Sequence, residues 1–243
     1  MALSSIARPK VQILTAEGGD AVYDFPLAER GVLMRVHRFT SSGDFEVAAG
    51  AGLIEAIIHA GGGGGAGTTS RGSGGGGAGG FLLETFFADS TQDVGSGDGV
   101  YPIVVGNGGA GGASSAVGAT GSNTTAFGFT AFGGGGGQVN NTGTLATNGG
   151  SGGRGNGNPG SGTLGQGAHG SSGGLNIDLA FDGTVRRYSK SGISGGRNGN
   201  TTAQRAVSEY GAGGQGSHGS DQSSPGGAGA QGIVIIRYPV RSL

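Results

Sequence analysis

Apolar residues recur along this chain in short extended runs, not at helical spacing. Residues 37–47 (HRFTSSGDFEV) place Phe39 on one side and Phe45 and Val47 on the other side of a Ser-Gly-Asp turn. Residues 53–60 (LIEAIIHA) form a largely apolar run that ends directly in five glycines. The same manner repeats over 80–87 (GFLLETFF), 100–105 (VYPIVV) and 232–238 (GIVIIRY). Residues 175–188 (LNIDLAFDGTVRRY) predict a hairpin, because Asp182-Gly183 supplies the residue types that a two-residue turn with positive φ demands. Upstream, residues 11–14 and 32–36 predict two more short strands around a loop containing Pro26. The expected fold class is all-β: a small antiparallel, jelly-roll-like β sandwich.

What separates these strands is glycine. Of 63 glycines in 243 residues, 57 fall between residues 60 and 232, about one position in three there. A collagen triplet is excluded, since the phase breaks repeatedly and the whole chain has six prolines. Low-complexity disorder is the reading composition alone would give. Against it, the glycines keep period three in short runs: Gly106, Gly109, Gly112; then Gly149, Gly152, Gly155; Gly167, Gly170, Gly173; Gly213, Gly216, Gly219; and Gly226, Gly229, Gly232. A flexible linker needs no phase. Period three is that of the polyproline II helix, which makes no internal hydrogen bonds, so its N–H and C=O groups must be satisfied by neighbours. Side-by-side helices satisfy one another if glycine stands wherever backbones touch. The expectation is a bundle of polyglycine II helices inserted in the sandwich, with strand and helix continuing each other. By composition, residues 1–35 form an N-terminal segment and residues 36–243 the sandwich with its insert, mainly residues 60–232.

Charge and chemistry narrow the function classes. A net charge of -1, with two lysines and twelve scattered arginines, offers no basic face, so no nucleic-acid partner is expected. There is no cysteine, hence neither disulfides nor thiolate metal sites, and no apolar run reaches membrane-spanning length. No membrane insertion and no cofactor are expected. Residues 62–69 (GGGGAGTT) look superficially like a phosphate loop but lack the lysine that would reach a β- or γ-phosphate. Asp89, Asp93 and Asp98 offer hard oxygens to a calcium ion, or else form a solvated acidic loop. His37, His59, His169 and His218 are scattered, and no catalytic triad or carboxylate pair can be placed by spacing. No catalytic residue is assigned, and an enzyme is not expected.

Taken together, RFTSSGDFEV, LIEAIIHAGGGGGAG, VYPIVVGNGGAGG, NIDLAFDGTVRRYSKSG and GGAGAQGIVIIRYP, in that order over about residues 36–239, resemble the glycine-rich domain common in bacteriophage tail and fibre proteins. The pattern is also similar to the glycine-rich domain of the anaplastic lymphoma kinase ectodomain, a TNF-like jelly roll carrying polyglycine II helices. It further resembles the glycine sandwich of T-even tail-fibre tip adhesins, whose variable loops between helices touch the host receptor. The strand-rich N-terminal part departs from those adhesins.

The resemblance implies a virion fibre or tail-tip protein, made in the host cytoplasm and exposed on the particle. Its partners would be other tail or fibre proteins and a bacterial surface receptor, either a glycan or an outer-membrane protein. A single chain and a homotrimer both stay open. A structural decoration protein is the second reading; an ice-binding protein is the third, weakened by the lack of regular threonine or alanine rows. For receptor contact the residues singled out are Phe127, Phe129 and Phe132 (AFGFTAF), with Asn140, Asn141 and Tyr210. Phe127 and Phe129 alternate and would share one face of an extended segment. They then form either an exposed tip or a plug between sandwich and bundle. For virion anchoring the candidates are Arg8, Pro9, Lys10 and Phe25.

Overall fold

The structure, a computed structural model, describes residues 14–68, 72–139, 148–150, 161, 163, 166, 177–188, 210–217 and 224–242. The strands in chain order are β1 (Thr15–Glu17), β2 (Ala21–Leu27), β3 (Val32–Phe39), β4 (Gly43–Ala49), β5 (Ala51–His59) and β6 (Phe81–Asp89). They continue as β7 (Val100–Ile103), β8 (Thr124–Ala126), β9 (Phe129–Ala131), β10 (Ile177–Leu179), β11 (Arg186–Tyr188) and β12 (Ile233–Ser242). Among the described strands, all pairings are antiparallel. A five-stranded sheet in the order β2-β3-β12-β5-β6 faces a three-stranded sheet β1-β4-β7, which makes the domain an all-β sandwich.

Alternation decides which side chains fill it. Val234, Ile236 and Tyr238 of β12 point between the sheets with Ile54, Ile58, Phe39, Phe45 and Tyr101, whereas Ile233 and Ile235 point to the opposite face. That opposite face is covered by the β10–β11 hairpin, whose Phe181 and Tyr188 pack on Val36 and Ile57. A central strand buried on both faces must be apolar throughout, which is why IVII runs without a break. The hairpin is pinned by Asp182, which accepts hydrogen bonds from the Tyr23 hydroxyl (2.7 Å) and Arg186 Nε (2.8 Å). Arg237 donates to the Phe181 carbonyl at 2.9 Å and lies 4.0 Å over the Phe181 ring.

Two expectations are corrected here. The boundary between residues 35 and 36 falls inside β3, so residues from Leu14 onward belong to the sandwich. The loop expected around Pro26 is strand β2; Pro26 is tolerated because β2 is an edge strand, where a missing N–H breaks no ladder on the outer side. Phe25, proposed for anchoring, packs against the second core cluster beside Gly183. Arg8, Pro9 and Lys10 lie outside the described residues.

Beyond the sandwich the glycine segments form a closed lattice. Residues 61–68, continuing β5, donate in rotation to three neighbours: Gly61 to Ser122, Gly62 to Ala230, Gly63 to Gly77, then Gly64 to Ala119, Gly65 to Gly227 and Ala66 to Gly74. They accept in rotation from three others: Gly134, Gly109 and Gly214 donate to Gly61, Gly62 and Gly63, and Gly137, Gly112 and Ser217 to the next three residues. Six segments thus surround one. The ring closes on itself through Gly77 to Gly135, Gly121 to Gly134, Ala119 to Ala110, Gly229 to Gly109, Gly227 to Gln215 and Gly76 to Gly214, all between 2.7 and 2.9 Å. Pairings such as Gly61 with Gly134 and Gly64 with Gly137 run parallel to the central segment, and each acceptor segment runs antiparallel, so direction alternates around the ring. This is the expected polyglycine II bundle; Gly152, Gly155, Gly167, Gly170, Gly173 and Gly219 of the predicted runs lie outside the described residues.

Closure matters energetically. Ordering a residue costs about 1–2 kcal/mol, with glycine at the high end, and one hydrogen bond returns a net of about 0.5–1.5 kcal/mol. Only a segment bonded through both its N–H and C=O groups approaches balance.

At the root of the bundle sits His59, fully buried, its Nδ1 3.1 Å from the Gly80 carbonyl and its ring against Gly211. Burial depresses its pKa to about 4. His37 is shifted the same way by burial, between the Gly18 carbonyl and the Tyr238 hydroxyl. An unfolded histidine takes up its proton near pH 6.5. Between that value and about 4 the unfolded chain therefore binds more protons than the folded one, so stability is full above pH 6.5 and falls as pH drops toward 4. His59 alone contributes roughly 3 kcal/mol to this loss. The thermal midpoint measured from pH 7.5 to 4.5 is expected to fall steadily; a flat profile would contradict a neutral buried imidazole.

Candidate functional site

The aromatic run 126–132 does not form one extended segment. β8 and β9 are joined by a two-residue turn in which Phe127 (φ 53°) and Gly128 (φ 79°) are both left-handed, the pattern of a type I′ hairpin. A bulky residue in that region costs roughly 1–2 kcal/mol. What holds it there is ring packing: Phe127 stacks on Phe86 (5.1 Å, 24°), tilts against Tyr101 (5.6 Å) and meets Phe45 edge-on (5.8 Å, 83°).

The hairpin is tied down on both sides. Val104 and Thr125 exchange two backbone hydrogen bonds of 2.9 Å. Gln166 donates to the Thr130 carbonyl (2.8 Å) and accepts from the Phe132 amide (2.9 Å). Thr124 Oγ1 donates to the His59 carbonyl (3.0 Å) and accepts from the Gly106 amide (2.9 Å), joining hairpin, β5 and bundle at one point.

Between this hairpin, β7 and the loop after β6 lies a cleft of about 520 Å³. Its lining includes Phe86, Tyr101 and Phe127, beside Phe129, Thr125 and Thr130 of the hairpin. At the rim stand Val94 and Val104, exposed by 43% and 47%. Gln92 also lines it; the Tyr101 hydroxyl accepts from the Asp89 amide (2.9 Å) and has the Asp89 carbonyl (3.0 Å) and Gln92 Oε1 (3.2 Å) as alternative acceptors for its one proton, fixing the loop. Among the described residues, no charged side chain lines the cleft.

The structure therefore brings Phe127 and Phe129 to one site, with Phe127 buried and Phe129 half-buried. Phe132 is 41% exposed beyond the end of β9. Tyr210 is elsewhere, against the core cluster beneath the β10–β11 hairpin. Asn140 and Asn141 lie outside the described residues, as do His169 and His218. Tyr101 and Gln92 were not anticipated from sequence; the alternation of Tyr101 and Ile103 in VYPI was the available signal, since it points both inward.

The phosphate-loop likeness at 62–69 has a physical resolution. The amides of residues 62–68 are all spent on lattice neighbours, so none is left to cradle an anion. Asp93 likewise spends its carboxylate on the Gly95 and Gly97 amides, which hold its pKa below the usual range.

The family profile described as the glycine-rich domain matches residues 40–239. The chain belongs to this glycine-rich domain family. The match takes in β4 to β11, most of β12 and the whole described lattice, while β1 to β3 of the sandwich precede it. A search of curated proteins gives no match.

Proposed function

We propose that this glycine-rich domain protein is a bacteriophage virion fibre or tail-tip protein that acts as a host receptor-binding adhesin. The observation that carries the reading is the closed ring of six segments around one, rooted in the sandwich: it makes a stiff platform from a glycine-rich sequence with almost no hydrophobic core of its own. Rigid scaffolds presenting surface loops and clefts are suited to recognition. The sequence resemblance to phage tail and fibre domains supplies the setting: a virion location, neighbouring tail or fibre proteins as partners, and a bacterial surface glycan or outer-membrane protein as receptor.

A structural decoration role is the second reading, and one feature favours it. Edge strand β6 carries Leu83 (55% exposed) and Phe87 (54%) on one face, with Leu53 (62%) of β5 directly opposite Phe87. An apolar edge of this kind suits a neighbour in a particle.

Fluorescently labelled protein incubated with a panel of intact bacteria separates the two. The adhesin reading expects saturable sedimentation with the cells of at least one strain, competed by unlabelled protein. Absence of binding across the panel, with antibody labelling confined to the body of the particle, would put the decoration reading first.

A further inference from the structure

We infer that the cleft between the β8–β9 hairpin, β7 and the loop after β6 binds an uncharged oligosaccharide, with one pyranose ring laid against Phe129. The inference deepens the adhesin reading and rests on it only for the cellular origin of the glycan.

Four observations converge. First, at about 520 Å³ the cleft is of small-ligand size, within the usual range for such sites. Second, none of its described lining residues carries a charge. A phosphate, carboxylate or ammonium group entering it would lose hydration with no counter-charge in return, so acidic and basic ligands are disfavoured.

Third, the polar groups are of the kind that hydroxyl-rich ligands use. Thr125 and Thr130 are directly paired across β8 and β9 and both line the cleft; within the described protein neither hydroxyl makes a side-chain hydrogen bond. A purely apolar occupant such as an acyl chain would cover both hydroxyls without partners, at a cost of about 1–3 kcal/mol for each group left unsatisfied. Thr125 and Thr130 stand on the hairpin face opposite Ala126 and Phe129, so hydroxyls of one sugar unit pair with the threonines while the C–H face of a neighbouring unit covers Phe129.

Fourth, the site is built before any ligand arrives. The hairpin is held by the double bond to Val104 and by both ends of the Gln166 amide, and its turn conformation is fixed by the buried Phe127 ring. Little ordering remains to oppose binding.

The test uses the full chain with methyl-labelled valine and alanine, titrated with maltotriose, chitotriose, cellotriose and a neutral galactose trisaccharide, and with sialyllactose as the charged comparator. Val94, Val104 and Ala126 methyl shifts report the cleft. The expected result is saturable shifts at these methyls with at least one neutral sugar and none with sialyllactose. Phe129→Ala should weaken binding roughly tenfold or more, and Thr130→Val, which keeps the shape, by roughly fivefold. Circular dichroism on each variant reports folding, and Thr130→Val keeps the test open if Phe129→Ala unfolds.

Binding of no neutral sugar, shifts elsewhere in the protein, or unchanged affinity in a folded Thr130→Val variant overturns the inference. Capture of an outer-membrane protein through this cleft instead of a glycan overturns it too. The cell-sedimentation assay reads the adhesin role separately. Sugar binding without cell binding would sustain the cleft and sink the adhesin; cell binding without sugar binding would do the reverse.

Discussion

Gly64→Ala is expected to leave little or no folded protein at 37 °C. Gly64 lies in the central lattice segment, and a Cβ there would sit 1.9 Å from the Ala110 carbonyl oxygen and 2.5 Å from its carbon, both backbone atoms with no rotamer to escape through. Relief requires separating the two segments. That would weaken the bond from the Gly64 amide to Ala119 and those from Gly109 and Gly112 to the central segment. The cost falls among the largest single-substitution effects, about 4 kcal/mol or more, against a total stability of roughly 5–15 kcal/mol for a domain. Asn107→Ala, at an exposed position of the adjoining segment, should change stability by no more than about 0.5 kcal/mol. Thermal unfolding of the two variants side by side is the measurement. A Gly64→Ala midpoint within error of wild type would mean the segments are not in backbone contact.

Phe45→Ala is the second large effect, and it reaches the cleft through the core. Phe45 is fully buried, with its ring near those of His37 (5.1 Å), Phe127 (5.8 Å), Tyr238 (6.4 Å) and Tyr101 (6.5 Å). Truncating a buried phenylalanine costs about 3–5 kcal/mol. For a chain of this size that lowers the midpoint by roughly 10 °C. Phe127 would also lose its edge-on partner, and with it part of what holds a left-handed phenylalanine in the turn. Saccharide binding should therefore fall in the folded fraction of Phe45→Ala, whereas Phe45→Leu, which refills most of the volume, should recover much of both properties. Calorimetry and the methyl titration together check this.

The strands and the three-residue phase could be read from sequence because each rests on local backbone periodicity. Residues 53–60 and 232–238 are apolar because β5 and β12 are interior to the larger sheet, and their side chains advertise it. The number of glycine phases also turns out to be informative. Residues 61–65 have glycine in every phase because that segment touches neighbours on all sides, whereas 116–122 needs it in one phase only, at Gly118 and Gly121, which face the central segment.

What resisted reading was whatever depends on a change of direction. Phe127 and Phe129 alternate like residues of one strand, yet a turn at Phe127-Gly128 sends the first inward; the usual turn signal, asparagine or aspartate before glycine, is missing. The boundary at residues 35 and 36 followed composition, which changes where glycine begins, not where the fold does. Phe86 and Tyr101 reach the cleft from strands in different sheets, a meeting that no local pattern encodes.

The arrangement of segments around residues 61–68 also constrains how the protein comes to exist. The partners of those residues are drawn from as far along the chain as Ala230, and β12 occupies the middle of the larger sheet, between β3 and β5. While a ribosome is still delivering the chain, the first half has neither its central strand nor half of its lattice ring. Pairings of such sequence separation are slow to form, and apolar strands left waiting are open to association. Assembly therefore completes only after the last strand has emerged, and the nascent chain depends on its many glycines staying solvated and unaggregated until then.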